Sequence, residues 1–224
     1  MSRFEECRFG DIKYIVHYPD DYKEGEKRPV ILFLHGAGTR GEDLGVLKGN
    51  CYFDLTSKHE NFPFITVAPL CPADNIWFDL FEQLKKFAFF IADAPFTDKA
   101  HYFCMGYSMG GYGTWQMGMS LPETFAAIVP ICGGGMYWNA GRLKGVPVWA
   151  FHGALDNTVF PEESQKMVDA VNKNGGNAKL TVFPEDGHDS WSNTYRTAEL
   201  FKWMLSCENL RVQAENIYTS PDRY

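Results

Sequence analysis

One pattern recurs along the sequence: a short apolar run is followed by polar turn residues and then by a stretch with helical spacing of apolar residues. Several of the runs, such as "PVILFLHG" and "FAAIVPIC", are continuously apolar, which is typical of strands that are covered on both faces. An alternation of this kind predicts an α/β fold, with a mostly parallel central sheet and helices on both of its faces.

The same patterns predict the positions of the elements. The strands are expected at 11–18, 29–36, 62–69, 101–108, 125–132, 146–153 and 178–184, and the helices at about 78–93, 109–120, 161–173 and 192–205. The first strand, "DIKYIVHY", alternates more regularly than the others and is expected to be an antiparallel edge strand. No repeat or linker divides the chain, so we expect a single domain over 1–224, with its core at about 10–206 and a polar tail at 207–224.

Composition excludes several classes of partner. The formal charge is −7 and no cluster of Lys and Arg is present, which argues against a nucleic-acid partner. No stretch approaches the roughly 20 apolar residues of a membrane span, and the start "MSRFEECRFG" is too charged for an export signal, so no membrane partner and a cytoplasmic location are expected. The six cysteines are widely spaced and are expected to be free thiols. Self-association stays open.

One serine stands in a distinctive turn. Residues 106–110 read Gly-Tyr-Ser-Met-Gly, a G-x-S-x-G pattern between a predicted strand and a predicted helix. In a nucleophile elbow the serine occupies a sharp, strained turn, and its neighbours must be small so that the chain segments can approach closely. The pattern also arises by chance in glycine-rich loops, but the strand before it and the helix after it favour Ser108 as a nucleophile.

A serine nucleophile needs a base. In this architecture the chain order is serine, then acid, then histidine. Two histidines follow Ser108 in the sequence, and they have different settings. His152 lies inside the predicted strand "VPVWAFHG" and is expected to be packed or bonded to the backbone, whereas His188 lies in the polar loop "PEDGHDSW" and is the predicted base.

The acid that orients the base has three candidates. Asp156 follows a predicted strand at "HGALDNTV", at the carboxyl end where ligands gather in open α/β sheets, and it is the predicted acid. Asp186 and Asp189 flank His188 so closely that they are expected to be solvated loop charges.

Charge that develops on a substrate oxygen needs backbone donors. The N–H of Met109, at the start of the helix after the serine, is one predicted donor. The second is expected from the turn "HGAG" after the strand 29–36, where we assign the N–H of Ala37 with Gly38 as the alternative. His35 precedes the serine in the chain and is expected to brace this turn.

Four stretches, "LHGAGTRGEDL", "APLCPADNIWFD", "GYSMGGYGTW" and "FHGALDNTV", together resemble α/β-hydrolases over about residues 10–206. Within that superfamily they are similar to small serine esterases of the carboxylesterase/phospholipase, dienelactone-hydrolase-like and polyhydroxybutyrate-depolymerase/feruloyl-esterase groups. The resemblance implies the α/β-hydrolase fold without a large lid. It makes Ser108 the nucleophile, Asp156 the acid and His188 the base, although dienelactone hydrolases carry cysteine at the elbow.

The expected reaction is hydrolysis of a small-molecule ester through an acyl-enzyme, on short-chain or aromatic acyl groups such as feruloyl or acetyl esters of carbohydrates. Neither a metal nor an organic cofactor is needed. The predicted substrate contacts are Gly38, Trp77, Tyr107 and Trp138. A peptidase or thioesterase with the same three residues, and a non-catalytic binding protein on the same scaffold, stay open as alternatives.

Overall fold

The computed structural model describes residues 3–211, which form an eight-stranded sheet flanked by helices. The strands are β1 (Arg3–Phe9), β2 (Ile12–Tyr18), β3 (Arg28–Leu34), β4 (Ile65–Pro69), β5 (Thr97–Tyr107), β6 (Ala127–Ile131), β7 (Val148–Gly153) and β8 (Ala178–Phe183). The helices are α1 (Gly45–Lys48), α2 (Cys51–Thr56), α3 (Phe81–Ala92), α4 (Met109–Ser120), α5 (Pro161–Lys173), α6 (Trp191–Arg196) and α7 (Ala198–Ser206).

The strand order is β1-β2-β4-β3-β5-β6-β7-β8. From β4 to β8 all neighbours are parallel, and β1 and β2 pair antiparallel, so the predicted mostly parallel sheet is confirmed. The expected edge position of the first predicted strand is wrong. β2 is antiparallel but internal, because β1 (from Arg3) pairs along its whole length with it. β1 is mostly exposed and lacks the apolar run that marks the other strands.

Alternating side chains of β3 show how the sheet separates two hydrophobic cores. Val30, Leu32 and Leu34 belong to the core under α3, α4 and α5. Ile31 and Phe33 point to the opposite face and join the core that contains residues of α2, α6 and α7. Because both faces of the strand are buried, its sequence is continuously apolar.

The helical pattern at 192–205 is interrupted. Thr197 has extended backbone angles (φ −77°, ψ 96°) and its hydroxyl donates to the carbonyl of Asn193, so the segment forms α6 and α7 instead of one helix. The helix expected from about residue 78 begins at Phe81, because a turn closed by the Asp79 carboxylate, which accepts from the N–H of Ile76, precedes it.

Of the predicted tail at 207–224, residues 212–224 lie outside the described residues. The described part is attached to the body, since the backbone N–H of Asn209 donates to Ala100 and its side-chain amide donates to the carbonyl of Glu123. Among residues 3–211, no helix combines the length and the apolar character needed to cross a bilayer.

Candidate active site

Ser108 lies on the turn between β5 and α4, with φ 54° and ψ −120°. A positive φ is strained for a residue with a side chain, and the predicted sharp turn is confirmed. The glycines on both sides provide space for close backbone contacts. A Cβ on Gly106 would lie 2.6 Å from the carbonyl oxygen of Leu34, and one on Gly110 would lie 2.8 Å from that of His35.

Three side chains from separate loops form one hydrogen-bonded chain. Ser108 Oγ lies 2.9 Å from His188 Nε2. The other ring nitrogen, Nδ1, lies 2.7 Å from Asp156 Oδ2. These loops follow β5, β7 and β8, whose carboxyl ends meet at the same edge of the sheet. Because a carboxylate only accepts, Nδ1 carries the proton and Nε2 presents a lone pair to the serine hydroxyl.

Backbone contacts hold the loops of Asp156 and His188 together. The N–H groups of Ala154 and Leu155 donate to the carbonyls of Phe183 and Asp186, both at 2.9 Å. Gly153 makes this approach possible, because a Cβ there would collide with the carbonyl of Asp186.

The two acids beside His188 in the sequence do not contact its ring. Both carboxylate oxygens of Asp186 accept from the side-chain amide of Asn193 at 2.8 Å. Asp189 Oδ1 accepts from the N–H of Ser192 at 3.2 Å. They stabilise the loop, and Asp156 alone of the three faces the imidazole.

The carboxylate of Asp156 is buried. Burial by itself would raise its pKa, but hydrogen bonds from His188 and from the backbone N–H groups of Val159 and Thr158 outweigh that effect and lower the pKa. Asp156 is therefore ionised over the whole neutral range.

Both predicted backbone donors begin a helical segment at this edge. Met109 is the first residue of α4, and Ala37 is the first residue of the short 3-10 helix Ala37–Thr39 that follows β3. The first N–H groups of a helix have no acceptor within it. Ala37 and Gly38 are both exposed, and a Cβ on Gly38 would meet open space. The roles of these N–H groups stay predictions.

His35 braces the turn that carries Ala37, as expected. Its Nδ1 donates to the carbonyl of Gly36 at 2.7 Å, and its Nε2 accepts from the N–H of Cys71 at 3.0 Å. Burial lowers the pKa of His35 to about 4, so the ring is neutral and keeps both bonds.

Comparisons with solved structures identify the fold. A thermostable esterase superposes with a TM-score of 0.78 and 29% identity, over 92% of this chain and 63% of that one. A ferulic acid esterase superposes with a TM-score of 0.69 and 16% identity, over 91% of this chain and 98% of the other. The chain therefore has the α/β-hydrolase fold.

Peptidases also share the fold of this chain. The acylaminoacyl peptidase of Pyrococcus horikoshii superposes with a TM-score of 0.66 and 16% identity, over 92% of this chain and 41% of the peptidase. A model of the prolyl oligopeptidase family matches residues 135–210, which include Asp156 and His188 but are less than half of the chain. In these superpositions the chain spans less than two thirds of the length of the thermostable esterase and of the peptidase. No curated protein sequence matches it significantly.

Two of the predicted substrate contacts, Trp77 and Tyr107, are buried beneath the loop. Trp77 is only 1% exposed, and its indole N–H donates to the carbonyl of His35 at 2.9 Å, so it supports the loop from below. Tyr107 is 8% exposed, and its hydroxyl lies 3.0 Å from both Thr39 Oγ1 and Asn50 Nδ2. Sequence position alone does not distinguish a ring in the pocket from a ring beneath it.

Tyr107 instead joins the Ala37 turn to the predicted base. Its ring packs against Trp191 at 4.6 Å, and Trp191 meets the ring of His188 edge-on at 5.4 Å. A Cβ on Gly36 would collide with the Tyr107 ring, so the turn rests directly on it. The indole and phenol rings thus restrict how the imidazole can move.

A cavity of about 410 Å³ lies beside α4. It is lined mainly by apolar side chains: Phe78, Phe81, Tyr112, Gln116, Gly135 and Met136. Tyr112 and Gln116 were missed in the sequence, although they lie four and eight residues after Ser108 and therefore on its face of the helix. Trp138, a predicted contact, is 72% exposed and packs edge-on against Tyr137, outside this lining.

Within the described residues, one set of side chains has donor atoms close enough for a metal ion: Cys132, Asp156 and His188, within 4.8 Å of one another. Asp156 and His188 are already bonded to each other. Burial raises the pKa of the Cys132 thiol to about 12, which disfavours the thiolate that a metal requires. The arrangement therefore favours proton transfer over metal binding.

Proposed function

We propose that this α/β-hydrolase is a serine hydrolase that cleaves carboxylic esters of short-chain or aromatic acyl groups. The observation that carries the proposal is the chain of two hydrogen bonds, 2.9 Å from Ser108 Oγ to His188 Nε2 and 2.7 Å from Nδ1 to Asp156 Oδ2. A serine hydroxyl is a weak nucleophile until a base removes its proton, and an imidazole of fixed tautomer provides that base.

Acylation follows from these positions. As Ser108 Oγ attacks the acyl carbon, His188 Nε2 takes its proton, and the negative charge of Asp156 stabilises the imidazolium. The backbone N–H groups of Ala37 and Met109 donate to the oxyanion. His188 then gives the proton to the departing alcohol.

Deacylation uses the same groups. His188 removes a proton from water, which attacks the acyl-enzyme, and the acid leaves as the proton returns to Ser108. These steps need no metal and no organic cofactor.

The cavity beside α4, the helix that begins directly after Ser108, supports an ester with an aromatic acyl group as the substrate. Its lining includes the rings of Phe78, Phe81 and Tyr112, which can pack against a planar ring. The superposed ferulic acid esterase is consistent with feruloyl esters of carbohydrates as one candidate, and acetyl esters are another. The proposed partner is accordingly a small-molecule ester.

A peptidase is the second candidate, favoured by the match to the prolyl oligopeptidase family model over residues 135–210. A thioesterase would use the same three residues. The leaving group, rather than the nucleophile, separates these enzymes from an esterase.

The test is labelling with a fluorophosphonate probe, followed by a substrate panel. The wild-type chain should be labelled and the Ser108→Ala variant should not. Activity on p-nitrophenyl acetate and methyl ferulate should exceed activity on a thioester and on peptide nitroanilides. A chain that stays unlabelled would favour a binding protein, and faster cleavage of the anilides would make it a peptidase.

A further inference from the structure

A second histidine contacts the acid of the proposed site. His152 lies on β7 and is completely buried. Its Nε2 lies 3.2 Å from Asp156 Oδ2 and 2.9 Å from the carbonyl oxygen of Val159. Both neighbours are acceptors only, so Nε2 carries a proton and shares it between them.

The other nitrogen of this ring is also bonded. Nδ1 lies 2.7 Å from the hydroxyl oxygen of Ser164 on α5, and that oxygen lies 2.9 Å from the carbonyl of Gly133. Burial lowers the pKa of His152, although the Val159 carbonyl and Asp156 oppose the effect, so the ring is neutral near pH 7. With the ring proton on Nε2, Nδ1 is an acceptor, and the single proton of the Ser164 hydroxyl is shared between Nδ1 and the carbonyl of Gly133.

The contacts of His152 complete the hydrogen bonding of the Asp156 carboxylate. Oδ1 accepts from the N–H groups of Thr158 and Val159 at 2.9 and 3.0 Å. Oδ2 is the oxygen that faces both imidazoles, His188 at 2.7 Å and His152 at 3.2 Å. A carboxylate has about four lone-pair sites, so four donors hold it in one orientation.

We infer that His152 is a positioning residue of the proposed reaction: its Nε2–H holds Asp156 Oδ2 against His188. The inference rests on the proposed function of Ser108, Asp156 and His188. This positioning role differs from a packing role, because the Nε2–H of His152 contacts Asp156 Oδ2, the same oxygen that orients His188. A tilted carboxylate would tilt the imidazole away from Ser108, and misplacement by about 1 Å can cost on the order of 100-fold in rate.

Two substitutions of His152 distinguish the contact of Nε2 with Asp156 from the contact of Nδ1 with Ser164. The amide of His152→Gln reaches the place of Nε2 and can still donate to Asp156. The amide of His152→Asn reaches only the place of Nδ1 and keeps the contact with Ser164. A merely structural role through Ser164 predicts that Asn is tolerated at least as well as Gln.

The experiment measures kcat and KM on p-nitrophenyl acetate and the rate of fluorophosphonate labelling. His152→Asn should lower kcat about 10- to 100-fold with KM changed less than about threefold, and slow labelling in parallel. His152→Gln should stay within about fivefold of the wild type. The control is His17→Gln, a buried histidine on β2 that should keep kcat within about twofold.

Rates are compared per folded molecule, with folding followed by circular dichroism. Equal kcat values for Gln and Asn, or a higher value for Asn, would overturn the inference. If the wild-type chain itself were unreactive toward the fluorophosphonate, the proposed function would fail instead, so the two failures are distinguishable.

Discussion

The serine turn and the wall of the cavity beside α4 are built differently. At the turn, the space around Gly106 and Gly110 is filled by backbone carbonyl oxygens of neighbouring segments. In the wall, defined by Phe78, Phe81, Tyr112 and Met136, the surfaces are side chains, and Phe78 is 43% exposed.

This difference implies that the turn determines whether the reaction occurs, whereas the wall determines which substrates are preferred. Backbone atoms cannot move aside without shifting β3 or α4, so the turn tolerates almost no change. Side chains of the wall end in solvent and can be replaced without disturbing the sheet. Substitutions at the turn and its partners should therefore abolish turnover or folding, whereas substitutions in the wall should redistribute activity among substrates.

The largest effect is expected at the nucleophile. Ser108→Ala should lower kcat on the order of a millionfold, because it removes the hydroxyl that forms the acyl-enzyme. Hydrolysis of p-nitrophenyl acetate measures the loss, and the melting temperature should stay close to that of the wild type. Ser57→Ala, an exposed serine, is the control. A Ser108→Ala variant with more than about 1% of the activity would disprove the assignment.

The next effect is expected at the acid. Asp156→Asn should lower kcat by about four orders of magnitude, because an amide favours the wrong tautomer of His188. The matched control is Asp186→Asn, whose carboxylate bonds Asn193 and not the imidazole. If Asp186→Asn destroyed turnover while Asp156→Asn preserved it, the acid would be misassigned.

A smaller effect, on stability, tests the rigidity of the turn. Gly110→Ala should lower the free energy of unfolding by about 1–3 kcal/mol or more, because its Cβ would collide with the carbonyls of Leu34 and His35. Urea unfolding measures the change. Gly38→Ala, where the same atom meets open space, should leave the midpoint almost unchanged. Equal midpoints for both variants would show that the turn is adaptable.

The smallest effect is expected in the wall. Phe78→Ala should lower kcat/KM for an aromatic acyl ester about tenfold relative to the acetyl ester, since it removes apolar contact with the ring. Phe89→Ala, an exposed phenylalanine of α3 outside the cavity lining, should leave that ratio unchanged. An unchanged ratio in Phe78→Ala would place the acyl group elsewhere.

The sequence predicts the elements that are buried on both sides better than those at the margins. Runs such as 29–36 are visible because every side chain is apolar, and the structure has β3 there. β1 was missed because an edge strand with exposed charges has no such run. The helix at 192–205 was predicted as one piece because the apolar spacing continues through Thr197, where only the backbone changes direction.

Among the site residues, the exposure of the aromatic side chains could not be predicted from the sequence. Trp77 and Trp138 both stand in aromatic stretches after predicted strands, yet one is buried beneath the Ala37 turn and the other is largely exposed. His152 was expected to bond the backbone, and it does bond Val159, but its contact with Asp156 has no signature in the sequence.

The amino-acid sequence is sufficient to predict the alternation of strands and helices, the position of Ser108 between a strand and a helix, and the order of serine, acid and histidine. These features are local, because they depend on residue types at short spacing. The sequence does not indicate which carboxylate oxygen the two imidazoles share or which aromatic rings stay accessible, and both are evident only in the folded structure. Those outcomes depend on how distant segments cross at one sheet edge, and spacing along the chain does not encode that geometry.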